Sequence, residues 1–156
     1  MSYENAYKKS QRQLICNLCL DLSIHIDKLK IAYLEDKTGA TDEFVEFFKN
    51  KTKDVVLIPV NFDEKNGDIL TKKYKNISLP NIVIKPKNRD INEWTSSVYV
   101  NELKIRLDAI WLDYTLTAKT LLCKYLADAA NILKDKNSLL FLTVSEWADA
   151  EYDGYD

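Results

Sequence analysis

The stretch Leu18-Cys19-Leu20-Asp21-Leu22-Ser23-Ile24-His25-Ile26, with Leu29, Ile31 and Tyr33 after it, decides how the chain is read. Leu18, Leu20, Leu22, Ile24 and Ile26 share one parity, the alternation of a half-buried strand. After Asp27 and Lys28 the parity flips to Leu29, Ile31 and Tyr33, as a two-residue turn requires. The pattern predicts a β-hairpin over 18–33. A single long amphipathic helix is the rival reading of the same residues, because Asp-Lys is a poor turn dipeptide.

Working outward, Tyr3 to Cys16 is polar and helix-permissive. Downstream, Thr41 is the expected N-cap of a helix with Asp42 and Glu43 in its first turn and Phe44, Val45, Phe47 and Phe48 as its apolar face. A β-meander follows. Val55 to Phe62 is a buried strand in which Pro59 marks an edge or bulge, Asn66-Gly67 is a hairpin turn, and Ile69–Lys75 and Leu79–Lys85 are two more strands. Asp90 and Glu93 have the spacing of a capping box. From Val98 to Lys134 apolar residues recur at three- and four-residue steps (Val100, Leu103, Leu107, Ile110, Tyr114). Unbroken, that helix would be about 55 Å long, more than a compact domain of this size holds. It must break, near Thr115, Thr117 and Thr120, or project. Leu139 to Val144 reads as a last strand.

The expected fold is therefore α+β: a small, mainly antiparallel sheet, hairpin plus meander, packed against a long C-terminal helical segment and two shorter helices. Residues 1–145 form a single domain and 146–156 an acidic, aromatic tail.

Composition excludes several functions. The 156 residues are 46% hydrophobic and 29% charged, which is globular rather than disordered. The longest apolar runs, Val55–Val60 and Leu139–Leu142, are far short of a membrane span, and no export signal opens the chain, so the expected location is the cytoplasm. The 3 glycines stand apart at Gly39, Gly67 and Gly154, so a glycine-rich phosphate loop cannot be built. The single histidine, His25, is the sole base for any nucleophile system.

Charge is uneven along the chain. Lys72, Lys73, Lys75, Lys85, Lys87 and Arg89 form a basic segment without an acid among them. It reads as a solvated sheet edge or, in the alternative, as a phosphate-neutralising nucleic-acid surface. The tail carries Glu151 and Asp153 among Trp147, Tyr152 and Tyr155, a pattern suited to docking on a neighbouring subunit.

Two constellations bear on chemistry. Cys16 and Cys19, with His25 and Cys123, offer four zinc ligands. The apolar neighbours of the pair favour buried thiols instead, so neither metal nor cofactor is expected. Asp21, Glu35 and Lys37 offer the acid and Glu-x-Lys of a Mg²⁺-dependent nuclease of the restriction-endonuclease-like type. In the hairpin, however, Asp21 points away from the face shared by Glu35 and Lys37.

The leading functional reading is a non-enzymatic assembly subunit that oligomerises or docks on other protein subunits, with a phage virion connector, neck or tail component as its concrete version. The nuclease and the nucleic-acid-binding or inhibitory protein are its alternatives. No membrane partner is expected.

Overall fold

The computed structural model describes residues 3–35, 39–96, 106–113, 123–134 and 137–143. Along the chain run α1 (Tyr3–Leu22), a 3-10 turn (Ser23–His25), β1 (Lys28–Leu34), α2 (Ala40–Phe48), β2 (Asp54–Val60) and α3 (Glu64–Tyr74). After them come β3 (Ile82–Ile84), α4 (Ile91–Ser96), β4 (Ala109–Asp113), α5 (Cys123–Asn131) and β5 (Leu139–Thr143). The strands form one five-stranded sheet in the order β3-β2-β1-β4-β5. Every pairing in it is parallel. This is a Rossmann-like α/β fold, and it corrects the expected α+β architecture with its antiparallel hairpin and meander.

Both faces of the sheet are covered, as parallel strands require. Leu29, Ile31, Tyr33, Val55, Leu57, Ala109 and Trp111 pack on one side with Ile15, Cys16 and Cys19 of α1 and Phe44, Val45 and Phe48 of α2. On the other side Ala32, Val56, Ile58, Val60, Ile110 and Leu112 meet Ile91 and Trp94 of α4 and Ala129 of α5.

The predicted hairpin fails on α1. Arg12, Ile15, Cys16 and Cys19 are all buried, at the i, i+3, i+4, i+7 spacing of one helical stripe, while Leu18 is 40% and Ile24 71% exposed. Cysteine packs as a small hydrophobe, and two cysteines carry the stripe that the leucines obscure. The helix is the rival reading of that stretch; only Leu29, Ile31 and Tyr33 belong to a strand, β1.

The meander fails at Asn66-Gly67, which lies inside α3. Asp63 caps that helix, accepting the Lys65 amide at 3.0 Å, and Lys72 and Lys73 sit in its last turn, where the helix dipole favours cations. Gly67 serves close approach, not a turn: a Cβ there would lie 2.6 Å from Asn88 Oδ1 and 3.4 Å from Pro86 Cβ. The long C-terminal helix is interrupted by a strand, while 97–105 and 114–122, with Thr115, Thr117 and Thr120, lie outside the described residues. Leu107, Ile110 and Leu112, fully buried, belong to the run through β4, and among the described residues α5 supplies nine residues of helix.

Other expectations hold. β2 and β5 lie where strands are read, and Asp90 Oδ1 accepts the Asn92 and Glu93 amides at 2.9 and 3.2 Å. Pro59, expected at an edge or bulge, is instead buried in β2, which has neighbours on both sides. Its carbonyl accepts from Lys87 N–H, so its missing N–H faces the β3 side, beyond the three residues of β3.

α1 is tied to α2 by a part-buried ion pair. Arg12, 3% exposed, donates to Glu43 Oε1 at 3.0 Å while its guanidinium lies 5.9 Å from the Trp111 ring centroid. Removing one partner strands the other charge. Arg12→Met is expected to lower stability by about 1–3 kcal/mol, and the double variant Arg12→Met/Glu43→Leu to recover most of that. Urea denaturation of the four proteins in the cycle measures it.

Candidate ligand crevice at the carboxyl edge

In an open α/β sheet, ligands bind beyond the carboxyl ends of the strands, where neighbouring strands send their helices to opposite faces. β1 and β4 are adjacent; α2 follows β1 on one face and α5 lies on the other. Glu35, Asn61, Asp113 and Thr143 mark the carboxyl ends of β1, β2, β4 and β5.

Glu35 is 4% exposed. Its Oε2 accepts the Thr41 amide at 2.9 Å and also the Thr41 hydroxyl. Thr41, expected as the N-cap, is instead the second residue of α2, which begins after Gly39 in the left-handed region at φ 83°. A carboxylate from the preceding strand thus fills the place of the cap and meets the positive end of the helix dipole. Tyr33 extends the network, its hydroxyl 2.6 Å from Thr41 Oγ1. Asn61 ties the strand ends together: its Nδ2 donates to the Glu35 carbonyl at 2.9 Å and its amide to Lys87 O at 3.0 Å. Across the crevice, Asp113 pairs with Lys8 of α1 at 3.1 Å. Trp111 Nε1 donates to Thr143 Oγ1 at 3.0 Å.

A second network flanks the first turn of α2. Asp42 accepts from Lys73 Nζ and the Tyr74 hydroxyl. Burial alone pushes its pKa up, but these two hydrogen bonds and the lysine charge hold it below the ordinary carboxylate value.

The residues singled out from sequence are dispersed. Asp21 lies near the end of α1, at the amino edge, and Glu35 at the carboxyl edge, so all of β1 separates them. Lys37 falls outside the described residues. Cys16 and Cys19 are buried in α1, burial pushing the Cys16 thiol far up and the Cys19 thiol up to about 12. His25 lines a cavity at the amino edge, and the side chain of Cys123 is outside the described set. Among the described residues no group of three or more His, Cys, Asp or Glu could hold a metal ion. Lys72 and Lys73 lie on α3, Lys75 is its C-cap, and Lys85, Lys87 and Arg89 follow β3, so the basic segment is a helix end and a connection rather than a strand pair. Trp147, Glu151, Tyr152, Asp153 and Tyr155 lie outside the described residues.

Sequence reading missed Asn61, Asp108, Asp113 and the Arg12–Glu43 pair. The signal for Asn61 and Asp113 is a polar residue closing an apolar run (Val55–Val60 and Ala109–Leu112), the same signal that marks Glu35.

Two groups of side chains give measurable consequences. Cys16 and Cys19 should resist thiol alkylation at pH 8 in the native state and react once the chain is unfolded, as peptide mass spectrometry would show. Burial raises the Tyr33 phenol well above its ordinary value, with Glu35 adding to the rise. Burial and the Asp42 contact raise Tyr74 too. Both phenols ionise more readily unfolded, so their contribution to stability is complete below about pH 10 and lost as pH rises beyond it. Phenolate absorbance should show them ionising together with unfolding, and Tyr33→Phe should remove one of them from that step.

No protein-family model matches the chain, and no curated protein matches it. Solved structures do match. One is the crystal structure of NSun6 from Pyrococcus horikoshii with SFG, at 15% identity and a TM-score of 0.50. The match covers 90% of this chain and 39% of that one, so the chain spans about two fifths of that protein's length. The likeness is one of fold, an α/β architecture shared with NSun6, and it gives the reading as a structural phage component no support. The long helix that supports the virion reading is interrupted by β4, and the tail lies outside the described residues. Among the described residues no helix is long and apolar enough to cross a membrane.

Proposed function

We propose that this chain is a small-ligand-binding α/β domain that takes a nucleoside-class compound, without a phosphate at the α2 N-terminus, in the crevice between β1 and β4. The strand order β3-β2-β1-β4-β5, which sends the helices after β1 and β4 to opposite faces, carries the reading.

The charge of the ligand follows from the edge residues. A phosphate subsite needs free amides at a helix N-terminus and a glycine-rich turn. Here the Thr41 amide is engaged by Glu35, and Gly39 is the only glycine between β1 and α2. Asp113 adds a second carboxylate on the far side of the crevice. With Asp113 already paired to Lys8, such an edge offers carboxylate acceptors to hydroxyl or ammonium groups and no open Thr41 amide to a phosphate. SFG, present in the NSun6 structure, is the natural first probe.

Titration calorimetry with SFG, adenosine and ATP tests this. Saturable binding of SFG or adenosine, weakened at least about tenfold by Asn61→Ala and with ATP binding less tightly, is the expected result. Silence from both SFG and adenosine at about 1 mM, or tighter binding of ATP, would overturn it.

A further inference from the structure

We propose that the cavity at the amino edge of the sheet, opposite the crevice, is a second binding site, one for a small organic cation bearing a primary amine. The cavity measures about 440 Å³, within the range of small-molecule sites. The end of α1 and the 3-10 turn supply Asp21 and His25, the entry to β4 supplies Asp108, and the segment before β5 supplies Lys134, Asn137 and Ser138.

Asp108 sets the chemistry. It is 2% exposed, yet it lines the cavity. Its Oδ2 accepts the Lys30 amide at 2.8 Å. Oδ1 lies on the side of Lys134, whose ammonium stands 3.9 Å away, beyond hydrogen-bond length, on a side chain 51% exposed. A buried carboxylate with one oxygen fixed by backbone and the other facing a loosely held cation calls for a better-placed donor. An ammonium ligand supplies it, and Lys134 can swing into solvent to admit it. Asp21 adds a second negative charge at the wall, so that with Lys134 withdrawn the lining is anionic. Asn137 and Ser138 add polar groups beside the amine.

The site is independent of the crevice, so either can fail without the other. The probe is 1,4-diaminobutane, with 1,4-butanediol as its uncharged analogue. His25, the single histidine, lines the cavity and reports occupancy through its ring proton resonances. The diamine should shift them saturably, and the diol should not. Asp108→Asn keeps an oxygen for the Lys30 amide and so the strand contact, which an unchanged Lys30 amide resonance would verify. It should weaken the diamine at least about tenfold, whereas Lys134→Ala should leave affinity equal or higher. No saturable shift up to about 10 mM diamine, an equal response to the diol, or undiminished binding in a folded Asp108→Asn protein would each overturn the proposal.

Discussion

A carboxylate at the head of α2 is the constraint on which the carboxyl edge depends. In doubly wound folds the turn from the first strand into its helix is where backbone amides are left open, and a bound anion commonly satisfies them. Here the strand supplies that anion itself. Glu35 accepts both the amide and the hydroxyl of Thr41, and Tyr33 closes the cluster from beneath. One glycine then suffices in the connection, because the helix N-terminus is met by a side chain rather than by a phosphate that needs close backbone approach. Burial is the main reason the Tyr33 phenol resists ionisation, and the neighbouring Glu35 carboxylate adds to it by penalising a second negative charge.

That cluster works only if β1 keeps its register, and β1 is held by an aspartate at its other end. Lys30 N–H donates to Asp108 Oδ2, Asp108 N–H to Lys30 O, and Leu139 N–H to Asp108 O. One residue therefore joins the amino ends of β1, β4 and β5. With both ends fixed, Leu29, Ile31 and Tyr33 face α1 and α2, and Ala32 faces α4 and α5. A slip of one residue would exchange those faces and carry Tyr33 away from Thr41.

What the sequence disclosed follows from how each element earns its burial. β2 and β5 are legible because an apolar run bounded by polar residues has few other uses. The first turn of α2 and the cap at Asp90 are legible because they rest on local hydrogen bonding. α1 is obscured because its core stripe runs through Arg12 and two cysteines, while Leu14 at 59% exposure and Leu18 sit on the solvent side. β4 is obscured for the opposite reason: a strand buried on both faces lacks alternation, so its run joins the helical spacings on either side. At α3 an Asn-Gly pair, strong evidence for a turn between strands, is outweighed by the Asp63 cap and by the room that only glycine leaves beside Pro86 and Asn88. Parallel crossovers in place of a hairpin put Asp21 and Glu35 at opposite edges of the sheet.

Parallel topology also explains why the chemistry of the described residues divides by edge. Every strand runs the same way, so each connection leaves at the carboxyl edge and returns at the amino edge. Residues just past a strand accumulate at one edge, and residues just before a strand at the other. At the carboxyl edge the polar groups are drawn into capping and tying: Glu35 to α2, Asn61 to its neighbouring strand ends, Asp113 to α1. A ligand arriving there must exchange partners with groups already engaged, which favours compounds rich in both donors and acceptors over a bare anion. At the amino edge Asp108 spends one oxygen on the backbone, and Lys134 stands 3.9 Å from the other at the wall of an open cavity. The two edges therefore differ in what they lack. The first is short of room for negative charge, and the second is short of a close cation.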